Sequence, residues 1–254
     1  DYTNLVRRFE IAPLPPGGPA AEKSDALAVP PAREKLYEGL LLIQDQDYSN
    51  AIPRLEAAIA GDPSLLGAWE GLGWSYWKLD RKAEAEQLWE RLLRLAPQNP
   101  MPHNLLASIA VSRKELEKAE SLLRQSLSLE PTQFEIRLNL AMVLTWQSKA
   151  EEADRLLRDL IQEEPDRTDV RIELAHVAYQ LQQYEESAAQ WEIVCAVIPD
   201  QPEFLIEWAR SLLYAGDLEQ AGLRAQRAAE LDGGSLRALN VLADIAQTGH
   251  RPAE

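Results

Sequence analysis

A single cysteine, Cys195, is all that the 254 residues contain. No disulfide can close within the chain and no cysteine-based zinc site can be built, while a lone thiol suits an oxidising or a reducing compartment equally. Histidine is almost as scarce: His103, His176 and His250 are the whole complement, and no two stand at ligand spacing. His176 is the one candidate for a functional role. No apolar run approaches the ~20 residues a helix needs to cross a bilayer. A phosphate-binding loop, a Gly-x-Ser-x-Gly elbow and a His-Glu-x-x-His pair are missing too, and Gly71 and Gly73 do not extend to a dinucleotide fingerprint. The chain is therefore read as non-enzymatic, with no cofactor and no metal. Positive charge is short as well: 26 Lys and Arg stand against 41 Asp and Glu, a net charge of -15. That balance repels a polyanion and excludes nucleic acid as a partner. Spread along the chain, it reads as a solvated helical surface.

What is present is a period. Pro63, Pro97, Pro131, Pro165 and Pro199 stand 34 residues apart without a slip, and Gly233 falls at the next interval. Proline and glycine both end helices. Small residues recur in two registers inside that frame. One is Gly39, Gly73, Ala107, Ala141, Ala175 and Ala209; the other is Ala51, Ala85, Ala119, Ala153, Ser187 and Ala221. Helices pack closely where neither projects a bulky side chain, so each pair marks a tight antiparallel crossing. Large apolar residues surround these sites at helical spacing, as in Trp69, Leu72 and Tyr76, then Ala85, Trp89 and Leu92. Short polar turns such as Leu79-Asp80-Arg81 separate the two helices, and equivalent turns contain Asp47, Lys114, Lys149, Gln183 and Asp217.

Trp69-x2-Leu72-Gly73-x2-Tyr76, followed by Ala85, Trp89 and Pro97, resembles the tetratricopeptide repeat signature almost letter for letter. The frame places six repeats at 32–65, 66–99, 100–133, 134–167, 168–201 and 202–235. The resemblance implies an all-α fold, a right-handed superhelical α-solenoid of antiparallel helix pairs. Residues 236–248 read as a capping helix with Leu239, Leu242, Ala243 and Ala246 on its buried face and Arg237, Asn240, Asp244 and Gln247 outside. Residues 249–254 read as a frayed tail. The chain opens at Asp1 rather than Met, as expected of a mature or excised portion of a longer protein, soluble and either cytoplasmic or periplasmic. Its residue usage, with arginine over lysine, points to a GC-rich bacterial genome.

The same resemblance implies that the first helix of each repeat lines a concave groove for a protein or peptide partner. Collected by register, the partner-binding candidates are Trp74, Trp77, Asn104, Asn139, Met142, Trp146, Ile172, His176, Tyr179, Ile206, Arg210 and Tyr214. Leu36, Leu40, Trp74, Trp77, Met142, Trp146, Ile172, Tyr179, Ile206 and Tyr214 make an apolar stripe, flanked by Glu70, Glu135, Asp169 and Glu203. Such a stripe on a protein surface marks a contact site. The family's clamp for C-terminal carboxylates needs lysine and asparagine at concave registers. Leu36, Leu40, Glu70 and Trp74 stand there instead, so the expected ligand is apolar and neutral or basic.

Residues 1–31 form a separate, proline-rich arm, with Pro13, Pro15, Pro16, Pro19, Pro30 and Pro31. One reading is an extended linker. The other starts from Leu5-Val6-Arg7-Arg8-Phe9-Glu10-Ile11, apolar and locally basic. It docks the arm in its own groove or a neighbour's, pairing Arg7 and Arg8 with Glu70, Glu135 or Glu203, and so provides self-association through the arm. Three functional readings follow: an interaction scaffold or adaptor, an envelope polysaccharide-associated scaffold, and the docking or regulatory portion of a larger enzyme.

Overall fold

The computed structural model describes residues 30–233 and 235–249; the arm ahead of residue 30 and the tail beyond 249 lie outside the described residues. Thirteen α-helices follow one another among the described residues, with no strand. Contacts divide them into two compact units, the first ending at Pro131 and the second beginning at Thr132.

In the first unit α1 (Pro31–Gln44) pairs with α2 (Tyr48–Gly61), α3 (Leu66–Lys78) with α4 (Lys82–Leu95), and α5 (Pro100–Ser112) with α6 (Leu116–Leu129). The second unit holds α7 (Phe134–Trp146) with α8 (Ala150–Glu163), α9 (Thr168–Gln180) with α10 (Tyr184–Val197), and α11 (Pro202–Ala215) with α12 (Leu218–Leu231). A last helix, α13 (Leu236–Gly249), packs on α11 and α12. Within each unit a helix touches its neighbours in sequence, and first helices also meet, α1 with α3 and α7 with α9. Each hairpin buries its apolar faces only by stacking on the next.

Two kinds of punctuation set these helices. Five of the six second helices stop two residues ahead of a periodic proline, and α12 stops two ahead of Gly233. The capping residues Asp62, Ala96, Glu130, Glu164 and Ile198 swing out of the helical region, with ψ between 69° and 95°. A residue before proline is sterically driven there. The turn inside each hairpin works differently. Gln46, Asp80, Lys114, Ser148 and Gln182 take φ near +60°, and Gly216 takes +90°. The residue after each sends its N–H back to a carbonyl five positions earlier, as Gln183 does to Ala178 at 2.8 Å and Asp217 to Leu212 at 2.9 Å. Helix-end carbonyls are thereby satisfied through a left-handed cap, the Schellman arrangement.

The small-residue registers are crossing points. Ala51, Ala85, Ala107, Ala119, Ala141, Ala153, Ala175, Ala209 and Ala221 are all fully buried. At Gly39 a methyl group would lie 2.6 Å from Leu55 Cδ2. Ser187 stands where alanine stands elsewhere, and its hydroxyl is satisfied by Ala175 O at 2.7 Å and by the Ser211 hydroxyl at 2.9 Å. Large side chains fill the rest. Trp69, Trp89 and Trp191 are fully buried, and Trp69 Nε1 donates to Pro63 O at 2.9 Å, tying the periodic proline to the next helix.

The last helix departs from expectation. Its buried residues are Ala238 and Val241, with Leu242 and Ile245 packed beside them against Leu205, Ile206, Ala209, Ala225 and Ala228. Of the expected buried face only Leu242 is placed there; Leu239, Ala243 and Ala246 face water. The reason lies in the register. Ala243 occupies the position through which Gly73 and Ala107 meet the second helix of their own hairpin, and α13 has none among the described residues.

Candidate surface for a partner

In the first unit the first-helix face is carried by α1, α3 and α5. Leu36, Leu40, Trp74, Trp77 and Met101 are half-buried, packed against the hydrophobic core. Trp74 lies under Lys78, whose Nζ is 4.5 Å from the ring centroid, and Trp77 sits 6.3 Å from the buried Trp89 ring. Asn104 is half-buried on α5, one turn before Ser108, whose hydroxyl donates to Asn104 O at 3.2 Å. Glu70 lies on this face, between Gly67 and Trp74 in helical register. It is half-buried, and burial alone pushes its carboxyl above the usual range.

The second unit is built differently. Met142, Ile172 and Ile206 are buried, so these three belong to the core and not to an open wall. Leu138, Ile172 and Ile206 share one register with Leu36, Glu70 and Asn104 of the first unit. In the second unit all three residues of that register are apolar and buried, whereas Leu36, Glu70 and Asn104 of the first unit are half-buried. Asn139 and Trp146 on α7 are half-buried. His176 is half-buried with its ring 5.2 Å from Trp191.

What remains open in this unit is a tyrosine cluster. Tyr179 of α9 meets Tyr214 of α11 edge-on at 5.7 Å, and Tyr214 stacks on Tyr184 at 5.2 Å. Tyr214 is 56% exposed. The Arg210 guanidinium lies 5.3 Å from the Tyr179 ring and donates to its hydroxyl at 3.4 Å, while Glu207 pairs with it at 3.3 Å. Burial is the larger influence on the Tyr179 phenol and raises its pKa against the pull of Arg210. A first-helix register does not reach Tyr184, because Tyr184 opens a second helix; its signal in the sequence is its place just past the turn of that hairpin. Of the flanking carboxylates, Glu135 is engaged by Arg167 at 3.0 Å, and the same guanidinium holds Asp169 at 2.7 Å.

Among the described residues no group of three or more His, Cys, Asp and Glu side chains could hold a metal, and no helix is long and apolar enough to cross a membrane. Burial pushes the Cys195 thiol up to about 11, which suppresses the thiolate that nucleophilic chemistry needs.

A family model described as the cytochrome c-type biogenesis protein H TPR domain matches residues 96–205, and a second, for the tetratricopeptide repeat, matches residues 42–109. The chain is a tetratricopeptide repeat protein. Among known relatives of these repeats, tetratricopeptide repeat-containing protein trd-1 of Caenorhabditis elegans is 29% identical over 96 residues, 38% of this chain; the match spans 12% of that relative's length. Among solved structures, PilW, a widely conserved type IV pilus biogenesis factor, superposes with a TM-score of 0.71 at 18% identity, over 83% of this chain and 98% of its own. PilF of Pseudomonas aeruginosa gives 0.71 at 18%, covering 84% and 97%. MamA AMB-1 gives 0.59 at 22%, covering 66% and 99%. These tetratricopeptide folds share the hairpin architecture described above.

Proposed function

We propose that this tetratricopeptide repeat protein is a non-enzymatic scaffold that binds an apolar, neutral-to-basic segment of a protein partner on its first-helix faces. The observation that carries the reading is the Tyr179–Tyr184–Tyr214 cluster, three rings in mutual contact with one left largely open to water beside Arg210. Tyrosine offers a rigid apolar body with a polar tip at low entropic cost, and it is enriched at the energetic centres of interfaces. In the first unit Trp74, Trp77 and Met101 supply the matching apolar ground, with Glu70 as its negative charge. The family model for a cytochrome c-type biogenesis protein and the likeness to a type IV pilus biogenesis factor favour a role in assembling larger structures.

Aromatic rings beside charged groups also suit sugars, and this keeps a polysaccharide-associated scaffold as the second reading. Peptide-array and glycan-array binding on the full chain separates the two, repeated with Tyr214→Ala and Trp74→Ala. Selection of apolar peptides, weakened about tenfold or more by Tyr214→Ala, is the expected result. Binding confined to glycans, or peptide binding indifferent to both substitutions, would overturn the reading.

A further inference from the structure

Glu70 is the one charged residue in its register, which otherwise holds Leu36, Asn104, Leu138, Ile172 and Ile206. Where the second unit places Leu138, Ile172 and Ile206, all buried, α3 places a carboxylate. It is half-buried, and among the described residues no ion pair engages it. One turn earlier Gly67 leaves a notch: a methyl group there would meet nothing nearer than Leu36 Cδ1 at 3.9 Å. A charge placed against an apolar register, without a counter-ion and beside open space, is a local conflict of the kind that folded proteins tolerate at functional positions.

Resting on the scaffold reading above, we propose that the chain carries its own occupant for this face: the segment Leu5–Ile11 docks in cis on the first unit, with Arg7 and Arg8 toward Glu70 and its apolar residues against Leu36, Leu40, Trp74 and Met101. The charge complementarity is specific, since adjacent arginines are supplied by a chain of net charge -15. Apolar Leu5, Val6, Phe9 and Ile11 match the apolar ground. The tether suits it as well. The arm joins the first unit at the start of α1, and the 21 residues from Phe9 to Pro30 can span up to ~70 Å. The α1 helix, at 14 residues, is only ~21 Å long. The segment competes with any external ligand for the same face, so a partner must displace it. A tethered segment of modest affinity, ~0.1 mM, holds its site about tenfold over release at a millimolar effective concentration.

Charge exchange in the full chain tests this. The rate of chymotrypsin cleavage after Phe9 is followed by mass spectrometry in the parent, in Glu70→Lys, and in Glu70→Lys combined with Arg7→Glu and Arg8→Glu. Glu70→Gln, which keeps the shape and removes the charge, accompanies them, and a thermal melt checks that each variant is folded. Slow cleavage in the parent, about tenfold faster cleavage in Glu70→Lys, and slow cleavage again in the exchanged variant are expected. Equal rates in all four proteins would overturn the docking while leaving array binding by the tyrosine cluster untouched. A rate that falls as protein concentration rises would make the contact intermolecular and overturn its assignment in cis.

Discussion

Trp89 lays its indole against Gly73 so closely that a Cβ on that glycine would come within 2.9 Å of the ring's Cδ1 and nearer still to Nε1 and Cε2. The tryptophan is fully buried, and its Nε1 finds no acceptor among the described residues. The α3–α4 crossing thus rests on shape alone, a large flat ring against a bare backbone. Gly73→Ala is expected to destabilise by about 3 kcal/mol, measured by denaturant unfolding. Adding Trp89→Leu should recover part of that loss. The double-mutant cycle should show a coupling of about 1–3 kcal/mol, whereas additive effects would mean that the two side chains do not compete for one volume.

The hairpin turns make a second expectation. Gln182 sits at φ 61° without glycine's freedom, while Gly216 takes φ 90° at the equivalent place, where an added methyl would meet nothing within 4 Å. A left-handed conformation costs an L-residue about 1–2 kcal/mol. Gln182→Gly should therefore stabilise by about 0.5–1 kcal/mol after the added freedom of the unfolded chain is deducted. Gly216→Ala should destabilise by about 1 kcal/mol. Thermal melts of the two variants beside the parent check both signs.

Arg167 supplies the pH-dependent element. It bridges Glu135, Glu164 and Asp169 and lies 4.4 Å over the Phe134 ring. Burial pushes the Asp169 carboxyl up, but the hydrogen bond and charge of Arg167, together with backbone N–H bonds, outweigh this and hold it below the usual range. A carboxyl lowered in the folded state adds stability that is present above its unfolded value of about 3.9 and lost as pH falls through the folded one. Arg167→Gln should cost about 0.5–1 kcal/mol at pH 7, given partial exposure. Melting curves of parent and variant should converge below about pH 4.

Ala153→Leu tests the second small-residue register. Ala153 is fully buried on α8, in line with Leu157 and Leu160 one and two turns on. An isobutyl group at that crossing should cost about 1–3 kcal/mol. A variant that melts like its parent would contradict a close approach of the two helices at Ala153.

Much of this architecture was legible from one observation, the spacing of Pro63, Pro97, Pro131, Pro165 and Pro199, because proline acts locally on the residue before it. The small-residue registers were legible for a similar reason: a crossing imprints its demand on single positions. The left-handed turns were not, since Gln46, Lys114, Ser148 and Gln182 carry no glycine signal and are held in place by the carbonyls they cap. The candidate surface was readable only in part. Register alone puts Met142, Ile172 and Ile206 beside Trp74 and Tyr179. Whether a side chain there stays open depends on what packs around it in the folded chain, which spacing does not encode. The buried face of α13 differs from its register for the related reason that burial follows the neighbours actually present.

That last helix has a mechanical consequence. Leu236 and Leu239 are 76% and 46% exposed, so α13 is gripped along one side only. A tether pulling on its C-terminal end would load the contacts of α13 with α11 and α12 first. Under load the second unit opens from that end, and the tyrosine contacts of α11 with α9 and α10 are the next seam in line.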